Sequence, residues 1–507
     1  MLPFGFARFG SLLLLTLLGS IREGRASPDA GSDPTAIGSA CCRSLSGKFP
    51  SQVLFPNSPP YNDSVSSYWA QQEQLISPLC IVLPTSADDV AATLQVLYHG
   101  SCKFAVRSGG HGTSANASNI DNGVTIDLSA LDFILLSGDR SAVAVGPGQT
   151  VGDVYALLYK AGLSFAGARD SGIGIGGSTL GGGLGYFSPF SGFACDSVVE
   201  YEVVLGNGTI ISATQDNNSD LWHALKGGGN NFGIVTKFVF KVFPLGSIWT
   251  GQAAYAPSAV NNAAQAFYDF VSDPNYDNSA SLLMSYGYNG GSTPLIELEY
   301  VYAAPVVDPP SAFAKFYALE GQVANETGIT SAPALSIKSG VMAPGGQQQV
   351  TFAMSFQNNA QMLPIIWTMY NSSIDSISSI DGIAWILTFE PVVQSLVNHS
   401  KANGGNILGL DISSQGLVLA HFSASFDNAA DYSTVSIAAE KLLQNINGVA
   451  KKIGTFNPYV DLNYAKTTQE PFLSYGSDNY SFLKAAAKRY DPALMFQNLM
   501  PGGFKLS

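Results

Sequence analysis

Short apolar runs alternate with segments of helical periodicity through the first half of the chain. Asp88–Tyr98 and Val151–Ala161 space their apolar residues as amphipathic helices do. Between them lie brief runs of β-branched and other apolar residues, bounded by glycine, proline or asparagine, which is typical of strands. The predicted strands are Cys80–Pro84, Phe104–Arg107, Gly123–Leu128, Ala142–Val145, 197–205 and 234–243, with a turn at 207–209. This alternation predicts the α+β or α/β class.

The pattern changes near residue 250. Residues 250–450 are rich in Ala, Ser, Asn and Tyr and mix helical and strand patterns, with an alternating strand at Leu295–Tyr302. They carry no repeat and no catalytic signature, which indicates a second domain. The expected organisation is a signal peptide (1–26), an irregular lead-in (27–75), a first domain (76–248), a second domain (249–455) and a C-terminal segment (456–507).

The N-terminus has the features of a secretory signal. Arg8 precedes the apolar run Ser11–Leu18, which ends in small residues and is too short to span a membrane. We expect cleavage near Ala26, with a membrane anchor as the alternative. Asn-x-Ser/Thr triplets, the glycosylation acceptors of secreted proteins, lie at Asn62, Asn116, Asn207, Asn217, Asn325, Asn371, Asn398 and Asn479.

All cysteines lie in the first 195 residues, at Cys41, Cys42, Cys80, Cys102 and Cys195. The odd number leaves at least one thiol outside intramolecular disulfides. A bridge from Cys41 or Cys42 to Cys102 would tie the mature N-terminus to the first domain, but the spacing leaves the pairing open. No Cys-x-x-Cys pair and no His/Cys cluster has zinc spacing, so we expect no metal site.

Composition narrows the range of partners. Charged residues make up 12 % of the 507 residues. The 24 Lys and Arg are outnumbered by 37 Asp and Glu, which gives a net charge of −13. This balance excludes a nucleic-acid binder, which needs a basic surface, and a polybasic membrane-surface protein. We expect a small-molecule ligand and a monomer.

The 53 glycines are unevenly distributed, with clusters at 109–112, 172–185 and 227–229. Consecutive glycines let backbone N–H groups approach phosphate oxygens with no Cβ in the way. The clusters therefore predict a cofactor with a diphosphate, and flexible surface turns are the alternative. A Rossmann fingerprint is rejected, because the residues before Gly172 are not a strand and the stretch holds too many extra glycines.

His111 is one of five histidines and lies among the glycines that follow the predicted strand Phe104–Arg107. A side chain at this place projects from a glycine-lined loop, not from a core face. Neutral imidazole is a competent nucleophile, which makes His111 a candidate for covalent chemistry. A purely structural histidine is the alternative.

Taken together, the motifs resemble those of one enzyme family. They are CIVLPTSADDV (80–90), RSGGHG (107–112), GVTIDLS (123–129), GIGIGGSTLGGGLGYFS (172–188), GFACDSV (192–198), NFGIVTKF (231–238) and YDPALMFQNLMPGGFKL (490–506). The chain resembles the berberine bridge enzyme-like oxidases of the vanillyl-alcohol oxidase superfamily, in particular the secreted fungal type. The resemblance implies an α+β fold. It comprises a two-lobed FAD-binding domain of the p-cresol methylhydroxylase type and a substrate domain with an antiparallel sheet covered by helices.

The resemblance also implies a covalent bond from His111 to the 8α-methyl group of FAD. Many members add a cysteinyl link shortly before the glycine run, but Asp170 stands at that position here. We therefore expect attachment through His111 alone. Asp196 is expected to support its loop more than to contact FAD. The implied cofactor-binding set is Arg107, Ser108, Gly109, Gly110, His111, Gly112, Asn119, Ile173, Gly174, Gly176, Gly177, Ser178, Thr179, Gly182, Gly183, Asp196, Ile234 and Asn463.

The segment YVDLNYA (459–465) matches a family segment read as Tyr-x-Asn-Tyr, with Asp461 in place of the first tyrosine. Hydride abstraction from a carbon that bears O–H or N–H needs a base to remove the heteroatom proton. Tyr464 and Asp461 are the candidates for this catalytic role. The alternatives are a packed aromatic ring and a solvated turn residue.

The sequence thus predicts a secreted FAD-dependent oxidase that transfers hydride from an alcohol, sugar or amine to flavin N5, with molecular oxygen reoxidising the flavin to give hydrogen peroxide. The substrate class stays open between carbohydrates and secondary metabolites. The alternatives are a secondary-metabolite dehydrogenase or oxidative cyclase that reacts poorly with oxygen, and a non-catalytic secreted protein with a flavin fold.

Overall fold

The strands of residues 53–244 form small sheets around the glycine loops. The structure, a computed structural model, describes residues 34–410 and 412–506, so the expected signal peptide (1–26) lies outside the described residues. The strands in this part are β1 (Val53–Leu54), β2 (Cys80–Val82), β3 (Phe104–Arg107), β4 (Val124–Asp127), β5 (Ile134–Leu136), β6 (Ala142–Val145), β7 (Leu163–Ser164), β8 (Val198–Val204), β9 (Ile210–Thr214), β10 (Ile234–Lys241) and β11 (Phe243–Pro244).

These strands form three sheets, and they differ in strand direction. The first has the order β1-β2-β4-β3, in which β4 runs parallel to β2 and β3. The second has the order β5-β6-β10-β8-β9 and is antiparallel throughout. The third is the short pair β11-β7. The mixture of parallel and antiparallel pairs with intervening helices is that of an α+β fold.

Helices connect and cover these sheets. In the first half they are α1 (Pro34–Lys48), α2 (Pro59–Ser66), α3 (Gln71–Gln74), α4 (Ala87–Gly100), α5 (Val151–Lys160), α6 (Ile175–Leu180), α7 (Ser188–Ser191) and α8 (Ser219–Leu225). Short 3-10 turns lie at Leu128–Ala130, Ala194–Ser197, Pro257–Ala259, Ser311–Phe313 and Ala429–Asp431. Ser86 caps α4 by accepting a hydrogen bond from the Asp89 N–H, which fixes where this helix begins.

The second half builds one eight-stranded antiparallel sheet, in the order β15-β12-β14-β13-β17-β18-β16-β19. Its strands are β12 (Ile248–Tyr255), β13 (Ala280–Asn289), β14 (Leu295–Tyr302), β15 (Gln322–Thr330), β16 (Gln348–Gln357), β17 (Ala384–Val392), β18 (Leu417–Phe426) and β19 (Phe456–Asn457). The helices here are α9 (Val260–Val271), α10 (Ala314–Tyr317), α11 (Ala332–Met342), α12 (Met362–Ile374), α13 (Gln394–Ala402), α14 (Tyr432–Lys452), α15 (Pro471–Ser474), α16 (Ser477–Tyr490) and α17 (Met495–Asn498).

The two faces of this sheet differ in polarity, because its strands alternate. In β18, Phe422 and Ala424 are buried in the apolar core, while His421 and Ser423, which alternate with them, are only partly buried. The same period of two runs through β13 and β14. Helices α12 and α14 pack against the sheet and complete its apolar core. The opposite, polar face of the sheet lies toward the glycine loops.

The sequence predictions for regular elements are confirmed. Strands β3, β6 and β14 have the predicted bounds, and α5 differs from its predicted range by one residue. The predicted turn at 207–209 joins β8 to β9, with Gly208 at a φ of 82°. The membership of the α+β class is confirmed. The domain boundary at 248/249 stays a prediction, since the described residues belong to one compact unit.

The expectation of an irregular lead-in over 27–75 is wrong where this segment is described. Helices α1, α2 and α3 occupy much of it. The sequence of α1 is rich in small polar residues, so its apolar pattern is weak, and the helix is held by tertiary links that the local pattern does not reveal. Helix α6 likewise lies within the 172–185 glycine stretch, which local propensity disfavours.

Those tertiary links include two disulfides. Cys41 pairs with Cys102, one of the two bridges left open by the sequence, and Cys42 pairs with Cys80. Cys195 is the free thiol of the described residues and is buried. The adjacent cysteines of α1 therefore fasten this helix to β2 and to the segment before β3. In the described part of the chain, no helix is long and apolar enough to cross a bilayer.

The C-terminal segment touches both halves. Strand β19 pairs with β16 at one edge of the large sheet. Farther on, the Leu499 carbonyl accepts a hydrogen bond from the Phe104 N–H at the start of β3. The segment thus joins the large sheet to the strand that leads into the His111 loop.

Candidate active site

The first two glycine clusters touch each other through their backbones. A Cβ added at Gly109 would lie 2.5 Å from Gly174 Cα, and one added at Gly174 would lie 2.3 Å from Gly109 N. The Ser108 hydroxyl ties the loops together, since it accepts from the Gly176 N–H (3.1 Å) and donates to the Pro147 carbonyl (2.5 Å). Only glycine allows this approach. The hydroxyl of Ser108, a residue of the implied cofactor-binding set, is therefore engaged within the protein.

His111 projects from the first of these loops with its ring partly exposed. The ring stacks on Trp69, with centroids 4.4 Å apart and planes inclined by 12°. Its Nε2 lies 3.4 Å from Asp170 Oδ2. Asp170 Oδ1 accepts a 2.7 Å hydrogen bond from the Gly172 N–H. The residue at the position of the family's cysteinyl link thus faces the histidine.

The preceding residue, Arg169, reaches in a different direction, toward the polar face of the large sheet. Its Nη1 donates to Glu390 Oε1 (3.0 Å) and to the Tyr464 hydroxyl (3.1 Å), and its Nη2 bonds the other Glu390 oxygen. His421 Nδ1 lies 2.9 Å from Glu390 Oε1. The Tyr464 ring stacks on His421 at 4.2 Å. These four side chains form one cluster, the Arg169–Glu390 cluster.

The charges of this cluster set the protonation of its members. Burial disfavours the Glu390 carboxylate, but Arg169 and His421 outweigh burial and lower the pKa of Glu390 to about 2. Burial raises the pKa of Tyr464, and the Glu390 charge raises it further, while Arg169 opposes both effects. At neutral pH Glu390 is therefore ionised and Tyr464 is a neutral phenol.

Asp461, the second catalytic candidate, is enclosed by protein. Its Oδ1 accepts from the Asn463 N–H (2.9 Å), and its Oδ2 accepts from the Tyr459 hydroxyl (3.2 Å). Only 1 % of the residue is exposed. Burial raises the pKa of Asp461 to about 7. The carboxyl group shapes the turn that carries Asn463 and Tyr464.

Asn463 contacts the second glycine loop directly. Its Nδ2 donates to the Ser178 carbonyl at 3.0 Å, and its amide fills the space in which a Cβ on Gly181 would stand. Gly182 and Gly183 follow with φ values of 112° and 80°, which other residues rarely adopt. The C-terminal segment is thus fitted against the glycine loop that the sequence singled out.

Two predicted cofactor contacts have their side chains engaged elsewhere. The buried Arg107 guanidinium donates to Ser64 and Ser67 and stacks over Tyr68, 3.9 Å from its centroid, while Asp127 lies beside it. Asn119 donates to the carbonyls of Glu73 and Ile76 and accepts from the Thr125 hydroxyl, and it is fully buried. Both side chains hold the strand and loop that carry His111. Direct contact of either with FAD stays a prediction.

Two further predicted residues are buried among protein atoms. Asp196 accepts from the Phe193 N–H, Ser400 and Asn406, which agrees with a loop-supporting role. Ile234 packs in the apolar cluster of the first sheet. Their hydrogen bonds and packing explain their presence without a ligand.

The third glycine cluster is explained by packing. A Cβ on Gly227 would lie 2.5 Å from Leu408, and one on Gly228 would lie 2.3 Å from the Ala224 carbonyl oxygen. These glycines admit neighbouring protein atoms. Packing thus accounts for Gly227 and Gly228, and contact of residues 227–229 with a cofactor stays a prediction.

Sequence reasoning found Tyr464 but missed Arg169, Glu390, His421 and Trp69. The available signal was weak: Glu390 lies near the end of the largely apolar strand β17, and His421 occupies a polar position within β18. The glutamate is 221 residues from its arginine partner. No local pattern connects them.

A recess of about 150 Å³ opens beside the first glycine loop. Thr113, Thr351, Gln349 and Lys466 contribute polar groups to its wall. The hydroxyls of Thr113 and Thr351 lie 2.9 Å apart and join the His111 loop to the polar face of the sheet. The recess suits a polar small molecule.

Comparison with known proteins identifies an FAD-binding domain in this chain. Residues 78–214 match the family model described as "FAD binding domain". The chain is 34 % identical to the FAD-dependent monooxygenase tpcD of Cochliobolus heterostrophus, over 87 % of each chain. It is 33 % identical to the FAD-dependent monooxygenase sdcF of Emericella nidulans, over 93 % of this chain and 99 % of the relative.

Solved structures share the fold at lower identity. The 6-hydroxy-D-nicotine oxidase of Arthrobacter nicotinovorans superposes with a TM-score of 0.75 at 20 % identity, covering 90 % of this chain and 97 % of that one. A chitooligosaccharide oxidase superposes with a TM-score of 0.74 at 20 % identity, covering 92 % of this chain and 100 % of that one. The expected architecture, a p-cresol methylhydroxylase-type FAD-binding domain with a second domain built on an antiparallel sheet, is confirmed.

The cluster generates a stability prediction. Glu390→Gln would leave the Arg169 charge buried without a counter-charge, so we expect the free energy of unfolding to fall by about 3–5 kcal/mol. Glu326→Gln is a matched control, because Glu326 forms an exposed ion pair with Lys338 and should contribute about 1 kcal/mol or less. Thermal or denaturant unfolding measures both variants. Equal losses would contradict a special role for the buried pair.

Proposed function

The chain belongs to the berberine bridge enzyme-like family of FAD-linked oxidoreductases, and on that premise we propose that His111 holds FAD covalently while the enzyme oxidises a small polar substrate with oxygen as the electron acceptor. One observation carries the proposal. Consecutive residues Arg169 and Asp170 reach Tyr464 and His111, respectively, so one short segment contacts both the proposed proton-transfer group and the proposed attachment group.

The residues around His111 fit a flavin dinucleotide. Gly112 and Gly177 are exposed, and a Cβ at Gly177 would have no atom within 4 Å, so this backbone is free to meet a ligand. Phosphate oxygens bind to such backbone without basic side chains, which suits a chain with few of them. FAD would supply the hydride-accepting chemistry, and the protein supplies attachment, orientation and proton transfer.

Tyr464 is the group that we propose for proton removal from the substrate. Its hydroxyl oxygen accepts from Arg169, and this contact stabilises the phenolate over the phenol. The stack on His421 fixes the ring, and the ion pair with Glu390 fixes Arg169 in turn. Asp461 is the weaker candidate, because both of its oxygens are engaged by neighbouring groups.

The polar face of the large sheet supports a hydroxyl- or amine-bearing substrate. Ser285 and Thr388 are hydrogen-bonded to each other on this face, and Glu299 accepts from the Tyr186 hydroxyl. Burial raises the pKa of Glu299 and of Glu297 on the same strand. The polar side chains of this face offer hydrogen-bond donors and acceptors to a sugar or another polar metabolite.

We infer that the enzyme is secreted and monomeric. The disulfides Cys41–Cys102 and Cys42–Cys80 suit an oxidising compartment. The Asn-x-Ser/Thr triplets would carry glycans there and keep a charge-poor surface soluble.

Covalent attachment predicts flavin that survives denaturation. Acid-precipitated wild-type protein is expected to retain yellow flavin in the pellet, whereas His111→Ala should release all its flavin into the supernatant. His99→Ala, a change at an exposed histidine of α4, should behave as wild type. Acid-stable flavin in His111→Ala, or its absence in the wild type, would refute the assignment.

The role of Tyr464 predicts a specific kinetic defect. Tyr464→Phe keeps the ring stack and removes the hydroxyl, so flavin reduction should slow by about 100-fold or more with bound flavin unchanged. Because the pKa of Tyr464 is raised, the phenolate is scarce at neutral pH. The wild-type reduction rate should therefore rise with pH, and this rise should be lost in Tyr464→Phe.

Anaerobic stopped-flow reduction measures these rates, using substrates found by screening sugars, alcohols and amines. Asp461→Asn is the comparison variant and should stay within a few-fold of wild type. A wild-type rate in Tyr464→Phe would remove this residue from the mechanism, and a larger defect in Asp461→Asn would assign the role to Asp461.

The names of the curated relatives give a second candidate function, monooxygenation. The two candidates differ in the fate of oxygen. Turnover under ¹⁸O₂ is expected to yield one hydrogen peroxide per product molecule and no ¹⁸O in the product. Incorporation of ¹⁸O would establish monooxygenation, and turnover only with an artificial electron acceptor would establish a dehydrogenase.

A further inference from the structure

We propose that Asp170 is a positioning residue that prepares His111 for covalent attachment, by holding a proton on Nε2 and leaving Nδ1 as the nucleophile. The inference rests on the proposed function, because it requires that His111 carry the flavin. It goes further by assigning the reacting nitrogen and the group that selects it.

The His111 ring has a fixed orientation. Trp69 stacks on one face, and Trp69 is itself held at three points. Its backbone N–H donates to the Gly110 carbonyl (3.0 Å), its indole N–H donates to the Ala343 carbonyl (2.9 Å), and its carbonyl accepts from the Gly346 N–H (2.7 Å). With the ring in this plane, Nε2 is the nitrogen that faces Asp170.

The Asp170 carboxylate is also fixed. Its Oδ1 accepts from the Gly172 N–H, which leaves Oδ2 directed at His111 Nε2 at 3.4 Å. Helix α11 packs against this carboxylate, since a Cβ on Gly340 would lie 2.8 Å from Asp170 Oδ1. The Ser171 N–H donates to the Ser336 carbonyl and ties the segment to the same helix.

These constraints select one form of the imidazole. A neutral imidazole carries its proton on one nitrogen and a lone pair on the other. A carboxylate facing Nε2 favours the form with the proton there, so the lone pair is on Nδ1. When Nδ1 bonds to carbon the ring becomes positively charged. The carboxylate stabilises this charge and can then accept the Nε2 proton.

The attachment reaction balances with oxygen as oxidant. One C–H bond of the 8α-methyl group and the imidazole N–H bond break, and one bond between Nδ1 and the 8α carbon forms. Two electrons and two protons leave in total. Molecular oxygen accepts them and becomes hydrogen peroxide.

The test follows covalent incorporation into full-length apoprotein after FAD is added. Asp170→Asn is the informative variant, because an amide oxygen can still accept from the Gly172 N–H while the charge is lost. We expect this variant to bind FAD non-covalently, measured by quenching of flavin fluorescence. Acid-stable flavin should accumulate about tenfold more slowly or worse than in wild type. Asp132→Asn, a change at an exposed carboxylate, is the matched control and should match wild type.

A second variant distinguishes the loss of the carboxylate from misfolding. Asp170→Ala leaves a gap beside His111 that formate can enter, so added formate should accelerate covalent incorporation in this variant and not in wild type. Wild-type incorporation in Asp170→Asn, or no effect of formate on Asp170→Ala, would overturn the inference. If the wild type itself takes up no acid-stable flavin, the failure lies in the proposed function and the inference falls with it.

Discussion

The buried ion pair between Arg169 and Glu390 is the constraint on which the site depends. It joins the loop that precedes the second glycine cluster to a central strand of the large sheet, and both carboxylate oxygens bond the guanidinium. Glu390 is 1 % exposed, so neither charge can be left alone without a large desolvation cost. The pair therefore fixes how the polar face of the sheet meets the loop. Tyr464 is placed by the same guanidinium.

Backbone contact between the glycine loops is the second requirement. Gly109 and Gly174 are so close that neither position admits a Cβ, and Ser108 bonds across the junction. This contact brings Asp170 to His111, because only one residue separates Asp170 from the loop start at Gly172. The proposed attachment and proton-transfer groups therefore depend on the same few residues. A shift of the 169–172 segment would disturb both.

The sequence predicted much of the fold because its signals were local. The bounds of β3, β6 and β14 follow from apolar runs and alternation, and the place of His111 follows from its glycine neighbours. The hydrogen-bond partners of individual side chains are not local in this way. Arg107 and Asn119 lie in or near the right motif, yet their side chains bond Ser64, Ser67, Glu73 and Ile76. A motif shows that a residue is needed but not whether it contacts ligand or supports the loop.

The sequence by itself determined the class of fold and the cofactor type and singled out His111 as the proposed attachment residue, because strand periodicity, glycine clusters and the His111 motif are all contiguous in the chain. Only the tertiary structure decided which side chains surround that histidine. Arg169 and Tyr464 are 295 residues apart, and Trp69 reaches His111 from a segment that carried no recognised pattern. These contacts depend on how the large sheet and the C-terminal segment pack against the glycine loops. That packing is determined by apolar contacts and charge pairs between distant segments, which no local window of sequence contains.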